Sequence, residues 1–470
     1  MLASAAVGTV EYRSMTESVR DANPLLHEFI EGKAIHVNVT NQVVTVQLNS
    51  LLSDTEQGEP PVVELPYDHL IVAVGNQVHD GNVPGARQHC LRLKTCEDAR
   101  RLRTAVGEAF EYASRPGISA EERRRRVTFV VIGGGPTGVE LAGELSDAIH
   151  DLTGHAHKKR HAAPYPKLAD DAKVILVHGG AELLPQFETD LRAEAVRALE
   201  RRGVQVILNT RVTHVTSGAV QLSTKVQDEA TGKFTGERTD RSLPMGLSVW
   251  CAGIAPVPFV DTLLQQLPDQ ARGPGGRIVV DKWLRPAVPE NVPLGSIFCL
   301  GDAASFVPRN GAEDTLPQTA QVAGQQGAYL ARLLTRGYNV SAPVPELPRA
   351  SKNRGNDNDE ACPGVTADGQ LPEVSACDDP SLAAWLKLRN LQRAPGFSFL
   401  NLGLLAYLGG GQALSQIQIG NVPIFSYTGS VAFVLWRSVY LVKQVATRNR
   451  ILVTFDWIKS ALFGRDTTRL

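Results

Sequence analysis

From Ala34 to Leu48, apolar residues alternate with polar ones on both sides of Thr40-Asn41. Ile35, Val37 and Val39 precede the break and Val44, Val46 and Leu48 follow it, which predicts a β-hairpin. Leu70 to Gly75 is continuously apolar and predicts a buried strand that ends in glycine. Ala99, Leu102, Val106 and Phe110 stand at helical spacing between Asp98 and Ser114, and Arg115-Pro-Gly117 stops that helix. Val127-Thr-Phe-Val-Val-Ile132 reads as a second buried strand. It opens into Gly133-Gly-Gly-Pro-Thr-Gly138 and then a helix over Val139 to Ile149. A strand at Lys173 to Val177, a helix at Leu191 to Arg202 and a strand at Val204 to Leu208 complete a βαβαβ order, one half of a doubly wound sheet. Leu247 to Cys251, Gly276 to Val280 and the run from Ser296 add further strands. Pro343 to Pro380 is rich in Pro, Gly, Asn, Asp and Glu and is expected to be a disordered surface insertion. Apolar periodicity returns over Phe397 to Gly411, then at Phe433, Trp436 and Tyr440, and again at Phe455, Ile458 and Leu462.

The glycine loop carries the strongest chemistry. Gly133, Gly135 and Gly138 follow a strand and open a helix. In that setting they supply a tight turn, close approach of a pyrophosphate to backbone N–H groups, and tight helix-on-sheet packing. Such a fingerprint usually ends with an acid at the tip of the next strand, accepting hydrogen bonds from the adenosine ribose. Here that tip is His178, no Arg stands beside it in sequence, and Glu182 is close by, so NADH and NADPH both stay open. Glu140 lies on the first turn of the following helix. It either complements the helix N-terminus or handles protons between two redox rings.

A second cofactor signal is Leu300-Gly301-Asp302-Ala after a strand, where an aspartate can accept the ribityl hydroxyls of a flavin. With Gly75 at the end of another strand, it suggests a flavin-binding sheet.

Composition narrows the picture without changing it. The chain has 470 residues, 43% hydrophobic and 21% charged, with 42 Gly and 28 Pro, which fits a globular α/β protein of two or three domains. A net charge of −1 offers no global field for nucleic acid, and the Arg123 to Arg126 run reads as a solvated face. Six scattered cysteines suggest a reducing compartment rather than a disulfide scaffold, and no metal-ligand set is assigned. From Asn421 onward Arg437, Lys443, Arg448, Arg450, Lys459, Arg465 and Arg469 face only Asp456 and Asp466, giving a basic amphipathic tail.

These segments together resemble the type II NADH dehydrogenases, the single-subunit, non-pumping NAD(P)H:quinone oxidoreductases of respiratory membranes. The likeness runs from Ala6-Val-Gly-Thr-Val-Glu-Tyr-Arg-Ser14 through Gly133 to Glu140 and Trp250-Cys-Ala-Gly253. It continues through Leu316 to Gly327, Trp436 to Leu441 and Phe463-Gly-Arg-Asp466. The resemblance implies an α/β fold with two dinucleotide-binding Rossmann-like domains, for FAD and NAD(P)H, and a C-terminal amphipathic helical region anchoring the protein to a membrane. It divides the chain into an FAD-binding domain over 1–115, an NAD(P)H-binding domain over 116–255, and a return to the FAD domain over 256–342. The insertion at 343–380 and a membrane and dimerisation region over 381–470 follow. It implies that Gly133, Gly135, Gly138, Glu140, His178, Ala252 and Gly253 serve the nicotinamide dinucleotide, and that Gly75, Gly301, Asp302, Ala320 and Gln321 serve FAD. Gln321, Gln325 and Tyr407 would contact a ubiquinone- or plastoquinone-like acceptor. Glu140, Gln321 and Gln325 would be the catalytic residues. Phe433, Trp436, Phe455 and Trp457 would press on membrane or a second copy in a homodimer, peripheral to the mitochondrial inner membrane or a plastid membrane.

The sequence departs from that family at its start. The family opens on a first G-x-G-x-x-G for the FAD pyrophosphate, whereas this chain carries the pattern once, at Gly133. The resemblance therefore implies that a glycine-loop unit and a targeting segment belong before Met1. Two rivals remain at this level: a soluble disulfide reductase on the same plan, which needs a close redox cysteine pair beside the flavin, and a non-catalytic NAD(P)H-binding protein.

Overall fold

In the computed structural model the described residues are 1–49, 60–154, 163–227, 234–306, 315–347, 392–419 and 422–466. Most of the segment read as a disordered insertion, from residue 348 on, lies outside them. The chain forms two compact units.

The first unit comprises Met1–Phe29, Val78–Ile254 and Leu400–Leu470. Its centre is a five-stranded parallel sheet in the order Leu91–Arg92, Leu247–Trp250, Thr128–Ile132, Lys173–Val177, Gln205–Ile207. Every residue of Thr128–Ile132 is buried, as a central parallel strand covered on both faces requires. Val131 sits in register with Val249 on one side and Leu176 on the other. The flanking helices are Cys96–Ala113, Pro136–Thr153 and Thr189–Arg201. Thr95 and Asp98 close a capping box on the first, and Pro136 at the first position with left-handed Gly154 at the end fixes the limits of the second. The predicted βαβαβ half is present in this order.

A three-stranded antiparallel sheet, Thr210–Val215, Ala219–Gln227 and Phe234–Pro244, extends this unit. Its C-terminal part begins differently from the helical region expected. Leu404–Gly409, Gln412–Ile419 and Val422–Gly429 form a second antiparallel sheet before the helices Ser430–Val442 and Thr447–Phe463. The alternation Gln416-Ile417-Gln418-Ile419, after the turn at Gly409 to Gly411, carries the strand signal. Trp436 and Trp457, expected against a membrane or a second copy, are 3% and 8% exposed. They close a core with Val10, Tyr407, Ala413, Ala432 and Val453. Of the four aromatics expected there, Phe455 is the one left mostly exposed, at 64%. No described helix is long and apolar enough to cross a membrane.

The second unit comprises Ile30–Gln77 and Ala255–Phe399. The predicted hairpin appears as Gly32–Asn38 and Val43–Leu48, joined by a third strand, Val62–Pro66, that sequence reading did not single out. Leu70–Val72 pairs in parallel with Ile297–Cys299, and Ile278–Val280 with Ala304–Phe306. Helix Pro258–Leu264 covers the hairpin, and helix Ala320–Thr335 buries Leu330 and Leu333 in the same core. Arg285 is 2% exposed, paired with Asp281 and donating to the carbonyls of Val340, Ala342 and Pro343, so its buried charge is fully bonded.

Candidate functional site

In the first unit the glycines of the loop have three separable reasons. Gly133 has φ +121°, and a Cβ there would meet the backbone of Cys251 and Ala252 at 2.8 Å. A Cβ on Gly138 would lie 1.9 Å from the carbonyl oxygen of Gly133, so the helix can start only if this position has no side chain. Gly135 is different: its φ of −77° suits any residue, and a Cβ would touch no protein atom within 4 Å. The protein's own packing therefore does not explain Gly135. A pyrophosphate laid across the loop does, because it needs the backbone unshielded. The helix also starts with no side-chain cap, so its first N–H groups face outward toward where an anion would sit. A dinucleotide phosphate fits this loop.

Around it stand the other residues expected to serve the dinucleotide. Nδ1 of His178 accepts the N–H of Gly134 at 3.1 Å, and burial pushes the imidazole pKa down. The ring is thus a neutral brace for the loop. Ala252 and Gly253 follow the strand Leu247–Trp250. Gly253 sits at φ +78°, its carbonyl accepts from the N–H of His79, and Trp250 Nε1 donates to the carbonyls of His79 and Ala252.

Glu140, one turn into the helix, is joined by residues the sequence placed far away. Trp436 Nε1 donates to Oε1 of Glu140 at 3.3 Å, and the main-chain N–H of Tyr407 reaches the same oxygen at 3.5 Å. The carboxyl keeps some accessible surface yet is packed deeply, and burial pushes its pKa up. Tyr407 does not turn its hydroxyl outward. It donates to Asp147 at 2.7 Å, and its ring packs 5.3 Å from Phe433 and 5.4 Å from Trp436.

Glu140, Glu144, Asp147 and Asp151 recur along one face of this helix, a stripe that reads in sequence as solvated. Instead, strand Leu404–Gly409 covers it. Gly143 makes the approach possible, because a Cβ there would lie 2.6 Å from the Leu408 backbone. Arg465, 9% exposed, answers the acids: it meets Glu144 at 2.7 Å, Asp151 at 3.0 Å and Asp147 at 3.6 Å. Burial opposes its charge, but the three carboxylates more than offset that and raise its pKa. A cavity of about 120 Å³ beside them is lined by Glu144, Tyr407, Trp436, Arg437 and Arg465 among others. Gly143, Asp147 and Arg465 were all missed in sequence, since only their pairing across long separations gives them meaning.

The second unit holds Gly75, Gly301, Asp302, Ala320, Gln321 and Gln325. Asp302 lies in the short helical turn Gly301–Ala303 that follows strand Ile297–Cys299, and Asn76, just after Gly75, donates to its Oδ2 at 3.0 Å. Gln318 Nε2 donates to the Asp302 carbonyl at 2.8 Å, and buried Gln326 accepts the N–H of Gly301 at 2.7 Å. Gln326, rather than its neighbour Gln325, thus fixes the Gly301 turn. Ala320 and Gln321 form the first turn of helix Ala320–Thr335, capped by Thr319. A Cβ added at Gly75, Gly324 or Gly327 would meet no protein atom within 4 Å. Glycine in a helix interior costs about 1 kcal/mol relative to alanine. With no packing reason for Gly324 and Gly327, a flat ligand laid close to the helix backbone accounts for them. The flavin fits this unit on that ground. The described residues contain no second G-x-G-x-x-G loop.

Comparison with known proteins agrees with this geometry. Residues 4–327 match the pyridine nucleotide-disulphide oxidoreductase family, and residues 401–466 match the NDH2 C-terminal domain. The external alternative NAD(P)H-ubiquinone oxidoreductase B1, mitochondrial, of Solanum tuberosum is 30% identical over 100% of this chain and 84% of its own length. The external NADH-ubiquinone oxidoreductase 2, mitochondrial, of Saccharomyces cerevisiae is 30% identical over 100% of this chain and 75% of its own. Among solved structures, NDH2 from Plasmodium falciparum in complex with NADH superposes with a TM-score of 0.72 at 18% identity, covering 99% of this chain and 91% of that one. The chain belongs to the pyridine nucleotide-disulphide oxidoreductase family and, through its NDH2 C-terminal domain, to the type II NAD(P)H:quinone oxidoreductases within it.

Proposed function

We propose that this protein transfers two electrons from NADH or NADPH to a membrane quinone through FAD, without pumping protons. The net reaction is NAD(P)H plus a proton plus quinone giving NAD(P)⁺ and quinol. Bound FAD supplies the chemistry of accepting a hydride and passing on two electrons. The protein's own residues bind the dinucleotide over Gly133 to Gly138 and hold a protonatable carboxyl at Glu140. They also place the aromatic wall of Tyr407 and Trp436 beside that carboxyl. The contact of Glu140 with Trp436 and Tyr407 is the observation that carries the reading. It ties the dinucleotide helix to the domain that marks the quinone-reducing branch of the family. Gln321 and Gln325 are proposed as polar contacts for the quinone head.

Among the described residues, the disulfide-reductase alternative finds no support in the cysteines. Cys90 is buried with its pKa raised by that burial, and Cys251 is pushed up to about 12. Thiols held protonated are poor nucleophiles.

The finer placement, peripheral on the mitochondrial inner membrane, rests on the mitochondrial names of the relatives and on the exposed apolar surface of the two C-terminal helices. Val431, Val434, Phe455, Ile458, Leu462 and Phe463 are all exposed there. A homodimer is proposed to use the exposed edge strand Val422–Gly429, which presents Phe425 and Tyr427.

The deciding experiment supplies purified protein with FAD, NADH or NADPH and a short-chain ubiquinone, and follows oxidation of the reduced nicotinamide by its absorbance. Quinone-dependent oxidation is expected with at least one coenzyme. A flavin-loaded protein that oxidises neither would overturn the proposal.

A further inference from the structure

The strand Lys173–Val177 ends where a dinucleotide's adenosine ribose meets the protein in this fold, and an acid normally stands there to accept its hydroxyls. His178, Gly179 and Gly180 occupy that end, and His178 is already spent on the N–H of Gly134. The nearby acid is engaged too: Arg192 donates to Glu182 at 2.5 Å. What tertiary structure adds is Arg211. Strand Thr210–Val215 is tied to the same spot, since the N–H of Thr210 donates to the His178 carbonyl at 2.9 Å and that of Asn209 to the Gly180 carbonyl at 2.8 Å. This brings the Arg211 side chain over Gly179, where a Cβ would lie 3.5 Å from Arg211 Cγ. Arg211 is exposed, and among the described residues its guanidinium makes no hydrogen bond or ion pair.

We propose that Arg211 is a coenzyme-specificity residue that recognises the 2′-phosphate of NADPH at the end of this strand. The proposal rests on the dinucleotide reading of the Gly133 loop. A phosphate monoester at the ribose meets no unpaired carboxylate here and one unpaired guanidinium, whose planar fork suits phosphate oxygens. With NADH the same guanidinium has only hydroxyls to approach.

The test separates binding from electron transfer. ADP-ribose and 2′-phospho-ADP-ribose, which lack the nicotinamide, are titrated calorimetrically into the whole chain and into the Arg211→Met and Arg211→Lys variants. In the unaltered protein the phosphorylated ligand is expected to bind about tenfold tighter at low salt, one charge-assisted contact's worth. That preference should shrink as salt is added. Arg211→Met should erase it while leaving ADP-ribose affinity unchanged, and Arg211→Lys should restore part of it. An equal affinity for both ligands in the unaltered protein, a preference that survives in Arg211→Met, or no binding of either ligand overturns the proposal. Loss of quinone reduction with the preference intact sinks the quinone reading and upholds this one.

Discussion

Tyr407, on a C-terminal strand, donates its hydroxyl to Asp147 at 2.7 Å, while its own main-chain N–H points to Glu140 two turns earlier on the same helix. One residue thus clamps the dinucleotide helix at two places. Asp147 also accepts from the N–H of Gly410 at 2.9 Å and pairs with Arg202, so its carboxylate is well satisfied inside the protein.

Replacing Tyr407 by phenylalanine keeps the ring between Phe433 and Trp436 and removes one bond to a buried carboxylate. The expected loss is about 1–3 kcal/mol. Urea unfolding should give a lower midpoint with an unchanged slope, and a midpoint equal to that of the unaltered protein would contradict the clamp.

Arg465→Met strips the shared cation from Glu144, Asp147 and Asp151 and should cost about 3–5 kcal/mol, the usual penalty for breaking a buried ion pair. Adding Glu144→Gln removes one stranded charge, so the double variant should be more stable than Arg465→Met alone. If the second substitution only adds to the damage, the ion-pair account is wrong.

Gly138→Ala and Gly135→Ala should separate folding from binding. The first places a Cβ 1.9 Å from the Gly133 carbonyl oxygen and should lower the melting temperature sharply. The second clashes with no protein atom within 4 Å and should leave melting unchanged while weakening ADP-ribose binding by about tenfold or more. Full binding by Gly135→Ala would remove the phosphate from the loop.

The raised pKa of Glu140 has a definite sign in stability. A carboxyl whose folded pKa exceeds its unfolded value contributes fully below the unfolded value, near 4.5, and loses that contribution as pH rises through the folded one. Unfolding free energies from urea titrations should therefore fall from about pH 4.5 upward by as much as ~1.4 kcal/mol per pH unit. Glu140→Gln should flatten that fall, and parallel curves for the two proteins would show that Glu140 is not its source.

The proposed membrane docking has its own readout. Phe455→Asp combined with Leu462→Asp places charge on the exposed apolar face of helix Thr447–Phe463 without touching the buried Trp457. Co-sedimentation with vesicles containing anionic phospholipid should drop severalfold, roughly as expected when two large apolar side chains are withdrawn from the interface. Undiminished binding would move the docking surface elsewhere.

Sequence alone determined much of this protein. The buried strand Thr128–Ile132, the glycine loop and the helix after it follow from local steric rules, because a parallel strand must be apolar throughout and Gly133 and Gly138 have no tolerable side chain. The hairpin around Thr40-Asn41 was legible from its alternation of apolar and polar residues. What only the tertiary structure decided were matters of charge and partner. The acidic stripe Glu140, Glu144, Asp147 and Asp151 carries the signature of a wet helix face, and nothing local reveals that Gly143 admits a strand or that Arg465 arrives from over 300 residues away to make burial tolerable. Trp436 and Trp457 read as membrane aromatics until the C-terminal sheet supplies a core for them. Arg211 gains a candidate role only because an antiparallel strand returns it to the end of Lys173–Val177. Backbone geometry is written in neighbouring residues, whereas the cost of burying a charge depends on which distant group meets it.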